Sequence, residues 1–207
     1  MKKLIISTGN KDKVNEIKYI LKDLNIEVLS KNEIGLSDLD VEEDADTLEG
    51  NAEKKADAIY EKYKAAIVAD DTGLYVDSLG GMPGVHTARY AGDDADYEDN
   101  RKKLLSEMSS FNGEKRKARF ITAIVLVESS GKKHIAKGIC EGYISEEERG
   151  NLGFGYDPIF IPEGYDETFA ELSPDIKNRI SHRALALKEL RFILEKIVGE
   201  KDEDCCN

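Results

Sequence analysis

Residues 65–74 have the sequence AAIVADDTGL, in which an apolar run stops at two adjacent aspartates. The apolar run favours a buried strand and Gly73 a turn, so we expect Asp70 and Asp71 to project from a strand end into a loop. Ligands of open α/β sheets usually bind at such loops. Adjacent carboxylates must be solvated, protonated or bound to a cation, which first indicates a metal site. The alternative is turn chemistry, since Asp and Gly are common turn residues.

The composition is that of a folded protein without a membrane partner. The chain has 207 residues, 40% of them hydrophobic, which is enough for one domain or for two lobes that share a sheet. No apolar run reaches membrane-spanning length, and the first one ends too early, at residues 7–9, for a signal peptide. We therefore expect a cytoplasmic protein.

The net charge of −12 argues against a nucleic-acid polymer as partner, because binding many phosphates needs a continuous basic surface. A small polyphosphate ligand is still compatible, since a few lysines and a divalent cation would hold it. The three cysteines are Cys140 and the adjacent Cys205 and Cys206. They resemble neither a disulfide framework nor a zinc site, which fits a reducing compartment.

The order of predicted elements is typical of an α/β protein. A short apolar strand at residues 3–7 precedes a helix with one apolar face, and a second strand follows at 26–29. This β-turn-α-β opening belongs to the α/β class. The apolar run at 118–127 indicates a central strand covered on both faces, and the alternation at 133–144 indicates a half-exposed partner strand.

Capping residues indicate where several helices begin. Asp46, with Glu49 three positions later, resembles the box that starts a helix. Ser173 and Pro174 are suited to the cap and first turn of a later helix, and another helix is predicted near residues 97–108. The last helix begins near Ser181 and buries four apolar residues: Leu187, Leu190, Leu194 and Ile197.

The turn Thr8-Gly9-Asn10 lies between the first strand and the first helix, where exposed amides and the helix dipole can bind an anion. Gly9 permits close backbone approach, and Lys11 and Lys13 add positive charge. The turn lacks the spacing of a P-loop and of a dinucleotide fingerprint. A phosphate site is one interpretation, and an Asn10 helix cap followed by solvated lysines is the other.

Two acidic clusters, Glu42-Glu43 and Asp70-Asp71, lie beside predicted element ends. Protein-bound Mg²⁺ typically uses one or two carboxylates together with waters and substrate phosphates, so one ligand from each cluster would suffice. A solvated acidic loop is the alternative interpretation of the first cluster.

The segment Phe154-Gly155-Tyr156-Asp157 combines an aromatic ring with a carboxylate in a flexible backbone, which suits stacking on a base and accepting its N–H protons. Ser181-His182-Arg183, at a helix start, offers donors for carbonyl oxygens. Each segment taken alone is equally compatible with packing.

Six blocks in this order resemble the inosine triphosphate pyrophosphatase family, also called the XTP/dITP diphosphatases. The first three are Thr8-Gly9-Asn10 with Lys13 and Glu16, the Glu42-Glu43 loop with Asn51-Ala52 and Lys55, and residues 69–74. The other three are Gly80-Gly81-Met82-Pro83-Gly84 with Ala88-Arg89-Tyr90, residues 153–158, and Ser181-His182-Arg183. The resemblance extends to about Gly199. It departs at Gly50, where many relatives carry glutamate, and at His86-Thr87, where Tyr-Ser is frequent.

The resemblance implies an α/β fold with an elongated mixed β-sheet flanked by helices and two lobes around a central nucleotide-binding cleft. Residues 1–199 would form a single two-lobed nucleoside triphosphate pyrophosphatase domain, and residues 200–207 an acidic C-terminal tail. The implied reaction is the Mg²⁺-dependent hydrolysis of XTP, ITP or dITP to the monophosphate and pyrophosphate, in a homodimer.

The resemblance also implies roles for individual residues. Asp71 would ligate Mg²⁺ and act as the base for the attacking water, and Glu42 or Glu43 would be a second metal ligand. The triphosphate would be bound by Thr8, Gly9, Asn10, Lys11, Asp12 and Lys13, with Lys55 close by. Thr72 would contact the substrate, Phe154 would stack on the purine, and the base pocket would be lined by Gly155, Tyr156, Asp157, Lys177, His182 and Arg183.

Two other functions are compatible with these residues. One is a nucleoside triphosphate pyrophosphatase with little base preference. The other is a regulatory module that binds a nucleotide without hydrolysing it. The sequence fixes neither the preferred substrate among XTP, ITP and dITP nor the means by which GTP is excluded.

Overall fold

In the computed structural model, which describes residues 3–203 and their side chains through residue 197, seven strands of the described chain form one mixed β-sheet. They are β1 (Lys3–Ile6), β2 (Glu27–Ser30), β3 (Ala66–Val76), β4 (Pro83–Gly84), β5 (Lys117–Val127), β6 (Lys133–Ile144) and β7 (Phe160–Pro162). Their order is β2-β1-β3-β5-β6-β7, with β4 paired to β3. β1 is parallel to β2 and β3, whereas β4 and β7 are antiparallel to β3 and β6. The predicted mixed sheet is confirmed.

The α-helices of the described residues are α1 (Lys11–Leu21), α2 (Leu48–Tyr63), α3 (Tyr97–Glu107), α4 (Pro174–Ile180) and α5 (His182–Glu203). The predicted caps Asn10 and Ser173 are confirmed. None of the helices in the described range is long and apolar enough to cross a membrane. Cys205 and Cys206 lie outside the described residues.

The helix-start box predicted at Asp46 and Glu49 is wrong. Thr47 is the N-cap of α2, and its side chain accepts a hydrogen bond from the backbone N–H of Gly50 at 3.1 Å. A capping box needs an acidic or amide side chain three residues after the cap, and Gly50 has none. The helix therefore begins with a simple threonine cap.

The chain divides into two compact units. The first comprises the chain up to Asp71, residues 122–138 and the chain from Ala184 onward, and the second comprises Thr72–Ile121 and Ile139–Arg183. The core of the second unit contains three aromatic rings in mutual contact, those of Phe120, Phe160 and Phe169.

The core of the first unit has two layers because strand side chains alternate between the faces of a sheet. On one face, Leu4, Ile6 and Val68 pack with apolar residues of α1 and α5. On the other face, Ile5 and Ile67 pack with apolar residues of α2. The four apolar residues predicted for the last helix, Leu187, Leu190, Leu194 and Ile197, are buried in the first of these layers.

The structure contradicts the prediction that the aspartate pair projects into a loop and that Gly73 forms a turn. β3 continues from Ala66 through Asp70, Asp71 and Gly73 to Val76 as a single strand of 11 residues. Gly73 serves close packing instead, since a Cβ there would lie 2.7 Å from the carbonyl oxygen of Gly84 and 2.8 Å from the ring of Tyr75. The apolar run ended early because polar side chains with buried partners occupy the middle of the strand.

Replacing Gly73 by alanine tests this packing. We expect Gly73→Ala to lower the free energy of unfolding by about 1–3 kcal/mol, because the added methyl would push β4 away from β3. Chemical denaturation with a fluorescence or circular dichroism readout measures the change.

Gly9→Ala is the matched control, since a Cβ at Gly9 would meet only side-chain atoms of Lys31 and Asn32, at 3.3 Å and beyond. We expect it to change the stability by less than about 1 kcal/mol. Equal losses in the two variants would contradict the packing role of Gly73.

Candidate active site

Asp70 and Asp71 point to opposite faces of the sheet, because neighbouring side chains of a strand alternate. Asp70 lies on the side of Val68, which packs on α1, and Asp71 lies on the side of Ala69, which packs on α2. Both residues are buried. Each carboxylate has a lysine of its own, so the repulsion anticipated for an adjacent pair is relieved by separation and by counter-charge.

Asp70 forms an ion pair with Lys13, which comes from the first turn of α1. The Lys13 Nζ lies 2.9 Å from Asp70 Oδ2, and the Asp70 side chain is fully buried. A buried carboxylate fixes the position of its lysine strongly, since an unpaired charge there would be costly. Lys13 is therefore held at the start of α1.

Asp71 and Glu43 both contact the ammonium group of Lys55. The Lys55 Nζ lies 3.0 Å from Asp71 Oδ1 and 3.3 Å from Glu43 Oε2. Burial alone would lower the pKa of Lys55, but the charges of Asp71 and Glu43 outweigh it and raise the pKa above its usual value. Lys55 therefore stays charged. Its position is supported by Ser7, whose hydroxyl donates to the Lys55 carbonyl oxygen at 2.7 Å.

The Asp71 carboxyl has the character of a proton acceptor. Burial raises its pKa, Lys55 opposes the rise, and Glu43 adds to it, with a net increase above the ordinary value for aspartate. A carboxylate with a raised pKa binds a proton more readily than a carboxylate with the ordinary pKa of aspartate. This property suits a general base.

The three predicted metal ligands are not all brought together. Glu43 lies with Asp71 around Lys55, whereas Glu42 is exposed. Within the part of the chain that the structure describes, no three His, Cys, Asp or Glu side chains form a group that could hold a metal ion. Glu43 and Asp71 still fit Mg²⁺, because two carboxylates already converge on one cation and Mg²⁺ takes its other ligands from water and phosphate.

The turn at Thr8–Asn10 is built as a helix cap. The Asn10 side-chain oxygen accepts from the backbone N–H groups of Asp12, at 2.9 Å, and of Lys13, at 3.3 Å. The Thr8 hydroxyl accepts from the N–H of Asn10 at 3.2 Å. The Asn10 cap is thus confirmed, but Lys13 is not a solvated lysine, because it pairs with Asp70. Three further residues of the predicted phosphate site are exposed: Gly9, Lys11 and Asp12.

In the second unit, Asp157 organises the segment that begins at Phe154. Its carboxylate accepts from the backbone N–H of Phe154 and from the Nζ of Lys177, both at 2.7 Å. Gly153 lies so close that a Cβ there would be 2.0 Å from Asp157 Oδ2. Asp157 and Lys177 are both buried. The sequence predicts that the Asp157 carboxylate accepts hydrogen bonds from the N–H groups of a nucleobase. In the structure this carboxylate already holds its own loop.

Two cationic groups lie near the face of the Phe154 ring. The Lys177 Nζ is 5.1 Å and the Arg183 guanidinium carbon 5.5 Å from the ring centroid. Arg183 also donates to the hydroxyl of Thr72 at 3.4 Å. An aromatic ring with flanking donors is the combination expected for holding a base with carbonyl oxygens.

His182 and Tyr156 are core residues of the second unit. The His182 ring stacks on Phe120, with centroids 4.4 Å apart and planes inclined by 19°. The Tyr156 hydroxyl donates to the Thr87 carbonyl oxygen at 3.0 Å, and burial raises the pKa of this phenol. Both side chains are thereby fixed in the interior of the second unit.

Two residues of α3 support the same loop and were missed in the sequence. Arg101 donates to the carbonyl oxygen of Gly155 at 2.8 Å, and the Tyr97 ring lies 6.2 Å from that of Phe154. Tyr97 and Arg101 are four residues apart and thus share a helix face. That spacing is visible in the sequence, but nothing there connects α3 with a loop more than 50 residues later.

The comparisons with known proteins agree with this architecture. The model of the Ham1 family matches residues 4–193. The chain is 47% identical to the dITP/XTP pyrophosphatase of Clostridium perfringens, over 96% of this chain and 100% of that one. The structure of the Staphylococcus aureus Ham1 protein superposes with a TM-score of 0.83 at 37% identity, covering 94% of this chain and 99% of that one. A HAM1 protein from Coxiella burnetii superposes with a TM-score of 0.86 at 36% identity, covering 95% and 100%. The chain belongs to the Ham1 family.

Proposed function

We propose that the protein is a nucleoside triphosphate pyrophosphatase that hydrolyses XTP, dITP and ITP to the monophosphate and pyrophosphate. It would thereby remove non-standard purine nucleotides from the precursor pool. The observation that carries the proposal is the buried Asp71, whose carboxylate is held between Lys55 and Asn51. The name of the Clostridium perfringens relative, dITP/XTP pyrophosphatase, supports the substrate class.

Hydrolysis between the α and β phosphates needs a proton acceptor for water and positive charge for the leaving pyrophosphate. Asp71 accepts the proton of the attacking water as the new P–O bond forms. Lys55 and Lys13 neutralise the charge that builds on the pyrophosphate when the bond to the bridging oxygen breaks. The buried carboxylates hold both lysines at fixed positions before the substrate binds.

We assign Mg²⁺ as the cofactor, held by Asp71 and Glu43. In the structure the carboxylates of these two residues both contact the ammonium group of Lys55. When bound, Mg²⁺ lowers the pKa of a coordinated water and offsets phosphate charge.

Selection of a 6-oxo purine follows from the donors around Phe154. Lys177 and Arg183 carry only donors, and a donor that faces the 6-oxygen of hypoxanthine or xanthine would face an amino group in adenine. A buried donor left unpaired costs about 1–3 kcal/mol, equivalent to roughly 5- to 150-fold in specificity. Guanine shares the 6-oxygen, so this argument separates ATP from ITP but not GTP from ITP.

The proposal also includes the remaining features that the resemblance implies. These are one catalytic domain over residues 1–199, a homodimer, and a cytoplasmic location where nucleoside triphosphates are used. The partner is a small nucleotide and not a nucleic-acid polymer, in keeping with the net charge of −12.

A substrate panel tests the function. We expect pyrophosphate release from XTP, ITP and dITP with Mg²⁺ to exceed that from ATP by at least about fivefold in kcat/KM, because adenine leaves a buried donor unpaired. GTP is measured alongside, and EDTA should abolish turnover. Comparable rates with all triphosphates would favour the enzyme of broad base preference, whereas release of phosphate instead of pyrophosphate would contradict both.

Exchanging each aspartate of the pair separates the enzyme from a binding module. We expect Asp71→Asn to lower kcat by about 10²- to 10⁴-fold, because the proton acceptor is lost. ITP binding, measured by calorimetry, should persist. If the protein were only a regulatory module, Asp71→Asn would leave turnover unchanged.

Asp70→Asn is the matched control, since it makes the same change one residue away on the opposite face of the sheet. Its effect should act through Lys13, raising KM more than it lowers kcat. Equal loss of kcat in both variants would contradict the assignment of Asp71 alone as the base.

A pair of substitutions tests the base site. We expect Phe154→Ala to raise KM for ITP and for ATP alike, since loss of stacking costs about 1–3 kcal/mol whichever base is present. Lys177→Met should raise KM for both nucleotides, because Asp157 loses its partner, but more for ITP than for ATP, which narrows the preference for ITP over ATP. Steady-state kinetics with both nucleotides give these values, and an unchanged preference in Lys177→Met would remove Lys177 from base selection.

A further inference from the structure

Asn51, in the first turn of α2, is a buried polar residue that contacts both Ala45 and Asp71. It is 1% exposed. Its Oδ1 accepts a hydrogen bond from the backbone N–H of Ala45 at 2.9 Å, and its Nδ2 donates to Asp71 Oδ2 at 3.3 Å. One planar carboxamide therefore joins the acidic loop, residues 35–46, to the proposed base.

The two ends of this carboxamide are not interchangeable. The backbone N–H of Ala45 can only donate, so the amide oxygen must face it, and the amide nitrogen then faces Asp71. Asp71 Oδ1 is bound by Lys55, at 3.0 Å, and Oδ2 by Asn51. The rotation of the carboxylate is thus fixed from two sides.

The acidic loop lies directly on the first turn of α2. A Cβ at Gly50 would be 2.8 Å from the Ala45 side chain and 3.0 Å from the Thr47 hydroxyl. The absence of a side chain at this position lets the loop approach the helix. The same loop carries Glu43, which shares Lys55 with Asp71. A shift of Ala45 would therefore displace Glu43 as well.

We propose that Asn51 is a positioning residue, which holds the acidic loop against α2 through Ala45 and orients the Asp71 carboxylate for proton transfer. The catalytic part of this inference rests on the proposed function. Asn51 does not contact the phosphates in this scheme, so its loss should affect the chemical step more than substrate binding.

Two substitutions separate the two contacts. Asn51→Ala removes both, whereas Asn51→Asp keeps an oxygen for Ala45 and loses the donor to Asp71. Amide hydrogen exchange at Ala45, measured without substrate, should accelerate in Asn51→Ala and stay slow in Asn51→Asp. In both variants we expect kcat for ITP to fall about 10- to 100-fold, the size of effect caused by a misplaced catalytic group, with a smaller change in KM.

Thr47→Ala is the control, because it removes the cap of the same helix without touching Asp71. It should lower the thermal midpoint while leaving kcat near the wild-type value. Equal loss of kcat in Thr47→Ala would show that Asn51 acts only through helix stability, and would overturn the inference.

Other outcomes decide the remaining points. Unchanged Ala45 exchange in Asn51→Ala would overturn the loop contact, and full activity of Asn51→Asp would overturn the orientation of Asp71. A wild-type protein that releases no pyrophosphate would defeat the proposed function and the catalytic part of this inference, while the exchange data would still decide the loop contact.

Discussion

Alternation of side chains along β3 is the constraint on which the first unit depends. Because Asp70 and Asp71 are neighbours in a strand, they leave the sheet on opposite faces and each meets a helix of its own. Lys13 on α1 and Lys55 on α2 complete the two ion pairs. A loop would have left the carboxylates side by side, where they would compete for one counter-charge.

The charge around Asp70 and Asp71 is set by the ion pairs that they form and not by the net charge of the chain. The chain is strongly acidic at −12, yet Lys13 and Lys55 are each held by an aspartate that is nearly or fully buried. Burial strengthens each pair by excluding water and raises the pKa of Asp71. Three side chains therefore supply the counter-charge, the proposed base and a proposed metal ligand: Lys55, Asp71 and Glu43.

The second unit uses a buried carboxylate for a different purpose. Asp157 is tied to the N–H of Phe154 and to Lys177, so it fixes an irregular, glycine-rich segment that has no regular hydrogen bonding of its own. In the same unit, the buried His182 ring packs on Phe120. The resemblance places both residues in the base pocket, and the geometry supports them as residues that shape the segment around Phe154.

The sequence by itself determined the α/β class, the order of most elements and the family, because hydrophobic periodicity, caps and ordered motifs are local properties of the chain. It could not show that β3 continues through its two aspartates, since polar residues interrupt an apolar run whether or not the strand goes on. Only the tertiary structure decided three features of the site. These are the lysine that pairs with each aspartate, the exposure of Glu42 next to Glu43, which contacts Lys55, and the two hydrogen bonds of Asn51. Most of those contacts join residues far apart in the chain. Strand pairing and helix packing bring these residues together, and a local sequence pattern predicts neither.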